Sequence, residues 1–262
     1  MKLITATRAH PRYVELYVNQ LAKCEEIPGN ERKEGDPLHI IALDCEMIQT
    51  VEDDMALARV SAVEISESWD APVKVVMDEL VMPTSSKDYI VDTRTLITGL
   101  TVEDICARGI TPIMAKDRFI QLIKPHTILM GHALDHDLLA LGVKCAKVVD
   151  TAMLFTVLEN SEYTHSLAHL SNAFLNVSTS RNAREGVHDS VEDATLALKI
   201  VTTIVTTPAL YAHNFPIALP KEESAAKRKL ASALGVQAQV LSTRIQVSEG
   251  NIKLAVESLK NS

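Results

Sequence analysis

Aromatic residues are scarce in this chain of 262 residues, at 4% of the sequence with a single Trp. The four cysteines, Cys24, Cys45, Cys106 and Cys145, lie far apart with no C-x-x-C pair, which excludes a disulfide framework and a zinc ribbon. Basic residues are also short: the formal net charge is -8, with the acidic surplus between 37 and 220 and a net basic stretch in 221–262. A clamp on duplex nucleic acid needs surplus Lys and Arg, so any nucleic acid must be held at a local site. The start, Met1 to Ala6, has no apolar run of signal-peptide length, and no run of about 18 apolar residues could span a bilayer. A soluble intracellular protein, with no membrane partner, is expected. Lys227-Arg228-Lys229 is too short to act as a nuclear signal and fits a solvated helix face.

What the chain does have is a hydrophobic fraction of 47%, enough for a normal core in one substantial domain with extensions. Residues 1–36 read as an N-terminal arm, with a helix over about Pro11 to Lys23 and a linker around Gly29 to Asp36. Strand patterns follow at Leu38–Asp44, Leu57–Ile65 and Val73–Val81, joined by short polar connections that predict an antiparallel meander. Beyond Pro83 helical signals take over. Thr101 to Asp104 resembles a capping box and Pro112 opens a helix through Ile123. Thr127–Met130 and Lys147–Val149 read as strands; Asp135–Leu141, Thr151–Leu158, Ser166–Leu175 and Val191–Val205 read as helices. Three strands followed by β/α alternation predict an α/β fold, a mixed sheet flanked by helices, over 37–207. Residues 221–262 form a helical tail by pattern, with helices over Ala225–Leu234, Val236–Ile245 and Ile252–Leu259.

Three acidic blocks stand out in order: Asp44-Cys45-Glu46, then Gly131 to Asp137, then His188 to Asp193. Taken singly each has an ordinary explanation. Asp44 and Glu46 fit a solvated strand end, Asp137 an acid placed at a helix start for about 0.3 to 1 kcal/mol of dipole stabilisation, and Ser190-x-x-Asp193 a capping box. Together they fit a nuclease site. Period-2 geometry puts Asp44 and Glu46 on one face of a strand, where with Asp137 and Asp193 they can hold two divalent cations. Oxygen ligands of this kind suit Mg²⁺ or Mn²⁺. His188, just ahead of the last block, can take a proton from an attacking water, since an ordinary imidazole titrates at about 6.5.

These residues resemble the DEDDh 3′→5′ exonucleases, and among them the eukaryotic RNA exonuclease (Rex) group with its small-RNA-degrading nucleases. The resemblance covers about 38 to 206. Ala42-Leu43-Asp44-Cys45-Glu46-Met47 is similar to the first family block and Leu57-Ala58-Arg59-Val60-Ser61 to its second strand. Asp92-Thr93-Arg94-Thr95 through Gly99-Leu100-Thr101 is similar to its substrate loop, with Thr93 where the group has Tyr. Gly131 to Leu141, Asp150-Thr151 and His188 to Ala194 are similar to the later blocks. The family implies an RNase H-like fold, with Asp44, Glu46, Asp137 and Asp193 as metal-binding carboxylates, His188 as general base, and Met47 and Arg94 near the terminal nucleotide. It implies two divalent cations, Mg or Mn, and single-stranded RNA 3′ ends as substrate. DNA 3′ ends, or a non-catalytic RNA- or protein-binding adaptor, are the alternatives. The nucleus is expected over the cytoplasm. Leu234-Gly235-Val236, Glu249-Gly250-Asn251 and Ala255-Val256 are similar to a ubiquitin-associated domain, which would give the tail a protein partner; a plain helical tail or an RNA-contacting extension are the other readings.

Overall fold

Helix α1 (Lys2–Arg8), a π-helical stretch Val14–Asn19 and the two-residue strand β1 (Glu25–Glu26) lead into three strands, β2 (Leu38–Thr50), β3 (Ala56–Glu67) and β4 (Lys74–Leu80). A short strand β5 (Ile90–Asp92) and helices α2 (Thr95–Thr98), α3 (Val102–Arg108) and α4 (Pro112–Leu122) follow. Strands and helices then alternate through β6 (Ile128–Gly131), α5 (Leu134–Leu141), β7 (Val143–Lys144), β8 (Val148–Asp150) and α6 (Thr151–Leu154). The last elements are β9 (Phe155–Val157), β10 (Asn160–Thr164), α7 (Leu167–Leu175), α8 (Ser190–Thr206), α9 (Pro208–Ala212) and β11 (Ile217–Leu219). This computed structural model describes residues 1–27, 36–157, 160–177 and 187–219. The three tail helices expected beyond 220, and the whole run 178–186, lie outside the described residues.

The main sheet has the order β4-β3-β2-β6-β8. β2, β3 and β4 form the expected antiparallel meander, while β6 and β8 add in parallel beside β2. The parallel half arises because a helix, α5, carries the chain from the end of β6 back towards β8. β2 is twice as long as a typical strand would require for this pairing: β6 covers Ile40 to Ala42, and β5 pairs antiparallel with Gln49 and Thr50 at the far end. The stretch of β2 between them, which holds Asp44 and Glu46, is open along that edge to α5.

Both faces of the sheet are covered, which is why 38–43 reads as a near-continuous apolar run, interrupted at His39, and not as an alternation. Ile40 and Ala42 pack with Val63, Ile65 and the apolar side of α8; Ile41 and Leu43 pack with Val60, Ala62 and residues of α4 and α5 such as Phe119 and Leu138. The same period carries Asp44 and Glu46 onto the α8 face. Caps act where the sequence placed them at several helices: Thr101 accepts from Asp104 N–H, Thr111 precedes Pro112 and accepts from Met114 N–H, and Ser166 accepts from His169 N–H.

Four expectations differ from the structure. Thr151–Leu158 does not run as one helix: α6 ends at Leu154, and Phe155-Thr156-Val157 pair in parallel with β11, the outcome favoured by aromatic and β-branched side chains once a partner strand is supplied. The Pro11–Lys23 helix is the shorter π-helical Val14–Asn19, and a further helix, α1, precedes it. The N-terminal segment also docks on the sheet, with Leu3, Ile4 and Ala6 in the α8-side core and Tyr17, Leu21 and Ile27 in the α5-side core. At the other end α9 and β11 extend the packed body past 207, with Leu210 and Ile217 buried. Among the described residues no helix is long and apolar enough to cross a membrane.

Candidate active site

Asp44 and Glu46 are paired across the ladder with Ser61 and Arg59 of β3. Directly opposed residues of an antiparallel pair share a face, so all four side chains rise on the α8 side. Two contacts then place the start of α8 above this rung. Ser61 Oγ lies 2.7 Å from Ser190 Oγ, and Arg59 Nη2 lies 3.6 Å from Asp189 Oδ1. Arg59 is itself anchored on β4 by two bonds to Asp78, from Nε at 2.8 Å and Nη2 at 3.1 Å. Burial works against the Asp78 charge, but Arg59 and Ser61 hold its carboxyl below the usual carboxylate range.

The start of α8 differs from the expected capping box. Asp189 is the N-cap, accepting from the Val191 N–H at 3.0 Å and the Glu192 N–H at 3.4 Å, and Ser190 turns inward to Ser61. The correction has a functional consequence, because Asp193 is released from capping duty. Its side chain lies in the first turn, 6% exposed, on the helix that covers Asp44 and Glu46. His188 precedes the cap with its ring Nδ1 3.5 Å from Asp193 Oδ2. Its backbone N–H donates to Ile97 O at 2.6 Å, tying the segment to α2 just ahead of the loop at Gly99. That loop approaches closely: Gly99 has φ +69°, and a Cβ there would stand 2.9 Å from Val187 Cγ1. A cavity of about 450 Å³ opens beside His188, walled by Thr98, Gly99, Arg108 and Asp189 among others. The imidazole, about one-third exposed, stands at the wall of this cavity with Asp193 beside it.

Asp137 enters from the sheet edge. β6 ends at Gly131, so the Cys45 N–H further along β2 finds no strand partner there; Asp137 Oδ1 accepts it at 2.8 Å. Gly131 allows α5 to begin this close to β2, since a Cβ would meet Leu134 Cδ1 at 2.8 Å and the Leu43 carbonyl oxygen at 3.0 Å. Gly131→Ala is therefore expected to cost about 1 to 3 kcal/mol and to lower the melting temperature by several degrees; an unchanged thermal melt would show that α5 can shift without penalty. Asp137 is 4% exposed, and burial pushes its carboxyl well above the usual range, with Asp150 and Asp135 adding to the rise against the Cys45 N–H. Cys45 itself is a buried thiol whose pKa burial likewise raises, which argues against a nucleophilic role.

The donor chemistry fits hard divalent cations. Glu46, Asp137 and Asp193 are each less than a tenth exposed, Asp44 stands beside them on β2, and a buried concentration of carboxylates of this kind is offset by positive charge brought from outside the chain. Among the described residues no three ligating side chains converge on a ready-made cage, since Asp137 turns one oxygen to Cys45 and Asp193 faces His188.

No family model matches the sequence. Curated proteins do, two of them as follows. The chain is 33% identical over 218 residues to Small RNA degrading nuclease 2 of Arabidopsis thaliana, covering 74% of this chain and 44% of that protein. It is 35% identical over 164 residues to RNA exonuclease 1 of Saccharomyces cerevisiae, covering 62% of this chain and 27% of that protein. The chain belongs to the Rex-type DEDDh RNA exonucleases. It spans less than half the length of either relative. Its fold is shared with the Saccharomyces cerevisiae Pan2 pseudoubiquitin hydrolase-RNA exonuclease module, solved in complex with AAGGA RNA, at a TM-score of 0.54 and 19% identity over 80% of this chain and 35% of that one. The mixed sheet flanked by helices is thus the RNase H-like nuclease fold.

The two positions expected near the terminal nucleotide, Met47 and Arg94, have different settings. Met47 follows a register shift in the β2–β3 ladder and is half-buried against the α5-side core. Arg94 has a left-handed backbone at φ 50° and its guanidinium is engaged by the β2–β3 hairpin, donating from Nη2 to Asp54 O at 2.7 Å with Nη1 3.3 Å from Met55 Sδ. The geometry also brings in residues that the sequence reading did not select. Arg59 and Asp189 brace the α8 start, and Tyr17 and Asp150 meet behind α5. Asp150 had a local signal, an acid at a strand-to-helix junction; Tyr17 had none.

Proposed function

We propose that the chain hydrolyses single-stranded RNA from its 3′ end and releases nucleoside 5′-monophosphates. The observation that carries this reading is the placement of Asp44, Glu46, Asp137 and Asp193 from β2, α5 and α8 around one stretch of strand, with His188 Nδ1 3.5 Å from Asp193 Oδ2. Two divalent cations, Mg or Mn, held by these four carboxylates would supply charge stabilisation at the scissile phosphate. His188 accepts the proton of the attacking water, and the Asp193 carboxylate orients and balances the imidazolium that results. The water oxygen forms the new bond to phosphorus, the bond to the 3′ oxygen breaks in line, and that oxygen leaves with a proton from solvent. An acidic chain with a local site accepts one single-stranded end more readily than a duplex, which would need a longer basic track. The relatives' names and the RNA bound to the Pan2 module support RNA over DNA.

The test uses a 5′-labelled single-stranded RNA and its DNA counterpart with Mn²⁺ or Mg²⁺, beside an EDTA control. The expected result is a metal-dependent ladder shortening from the 3′ end, faster on RNA. Equal or faster degradation of DNA would move the assignment to a DNA exonuclease on the same fold. Intact RNA that is nevertheless retained in a binding assay would leave an adaptor.

A further inference from the structure

Asp137 sits one turn into α5, so its position depends on how that helix begins. α5 lacks a cap of its own: Ala133, at the N-cap position, has a left-handed backbone at φ 55° and no side-chain acceptor. Its first N–H groups are taken by a carboxylate from the neighbouring strand end. Asp150, fully buried at the end of β8, accepts from the Ala133 N–H at 2.9 Å through Oδ1 and from the Leu134 N–H at 3.3 Å through Oδ2. Oδ1 also accepts from the Ala152 N–H at 2.8 Å and so caps α6. Burial pushes the Asp150 carboxyl up to about 6, with Tyr17 and the backbone donors working to keep it ionised.

Two residues of the N-terminal segment complete this shell. The Tyr17 hydroxyl donates to Asp150 Oδ2 at 2.7 Å, and Thr7 Oγ1 accepts the Asp150 N–H at 3.2 Å. Both side chains are buried, and the Tyr17 ring is stacked on Tyr13 with centroids 5.1 Å apart. A left-handed non-glycine residue persists only where its surroundings over-determine it. Here the surroundings are Asp150 and the segment that holds Asp150. Without the Tyr17 hydroxyl, Oδ2 keeps the longer bond to Leu134, and the start of α5 gains freedom that Asp137 inherits one turn later.

We propose that Tyr17 and Asp150 are positioning residues for the nuclease centre: the N-terminal segment, through the Tyr17–Asp150 bond, fixes the start of α5 and with it the placement of the Asp137 carboxylate. This rests on the reading of Asp137 as an ion-binding group. Outer groups that orient ligands typically change metal affinity by about 10- to 100-fold when altered, whereas a contact that merely stabilises the fold leaves the affinity of the folded protein alone.

The experiment is a calorimetric titration of Mn²⁺ into the full chain without RNA, with thermal melts in EDTA run in parallel, on the unaltered protein, Tyr17→Phe, Asp150→Asn and Leu21→Ala. Leu21 is a fully buried neighbour in the same N-terminal segment and reports on stability alone. Tyr17→Phe is expected to raise the Mn²⁺ concentration for half-saturation about tenfold and Asp150→Asn by more, while Leu21→Ala melts earlier yet binds Mn²⁺ within about twofold of the unaltered protein. Should Asp150→Asn fail to fold, the conservative Tyr17→Phe decides. Unchanged Mn²⁺ binding in Tyr17→Phe, or an equal loss in Leu21→Ala, would overturn the positioning role while leaving the ion site standing. No uptake of Mn²⁺ by the unaltered protein would remove the ion site itself, and this inference with it.

Discussion

Replacing Asp193 by Asn is expected to slow RNA hydrolysis by at least about a thousandfold, the equivalent of several kcal/mol of transition-state stabilisation. The melting temperature in EDTA should stay level or rise. The two halves of the expectation come from one feature of α8. Asp189, not Asp193 or Ser190, caps the helix, so an amide at 193 leaves the N-terminus satisfied. What it removes is a charge only 6% exposed, and an amide of the same shape costs less to keep out of water. Single-turnover cleavage of a 5′-labelled RNA, read beside a melt in EDTA, gives both numbers. A rate above about one-tenth of the unaltered protein's would take Asp193 out of the ion site. Asp189→Ala supplies the contrast: it removes the cap, at a typical cost of about 1 kcal/mol, together with the 3.6 Å approach of Arg59. Its stability should fall more than its chemistry.

How much of this was legible from sequence depends on the distance along the chain over which each feature is decided. The strand at 38–44 and the shared face of Asp44 and Glu46 are set by period-2 geometry within a few residues, and both appear as read. The caps at Thr101, Thr111 and Ser166 are equally local. At 155–157 the decision is made by β11, some sixty residues on, and a helical pattern yields to a strand pairing that local sequence does not announce. Ser190 looked like a cap because a hydroxyl three residues before an acid fits the pattern; Ser61, rising from β3 on the α8 face of the sheet, turned it inward and left capping to Asp189. Tyr17 is the extreme case. Its partner Asp150 is 133 residues away, and within 1–27 nothing distinguishes that tyrosine from one resting on a mobile arm. The carboxylate set stood out as a candidate because three acidic blocks occur in a fixed order. The contacts that aim it were not, because each joins elements that meet only in the folded sheet.

His188→Ala is the second large effect, and it separates from Asp193→Asn by chemical rescue and not by the direction of the rate change. The rate should fall by roughly 10² to 10⁴, the usual contribution of a positioned general base. Mn²⁺ binding, measured by calorimetry, should be kept, since the residue faces Asp193 from 3.5 Å and is not one of the four carboxylates. The backbone should also stay where it is, because the segment is held by the 188 N–H on Ile97 O, a bond that alanine retains. The lost group is thus a side chain with open space next to it: the cavity of about 450 Å³ beside His188 is large enough to admit free imidazole. Added imidazole should then restore part of the rate in His188→Ala and none in Asp193→Asn. Near-normal turnover without imidazole would end the base assignment. A rate lost together with Mn²⁺ affinity would instead make His188 a support for the ion site, acting through Asp193 and not on the water.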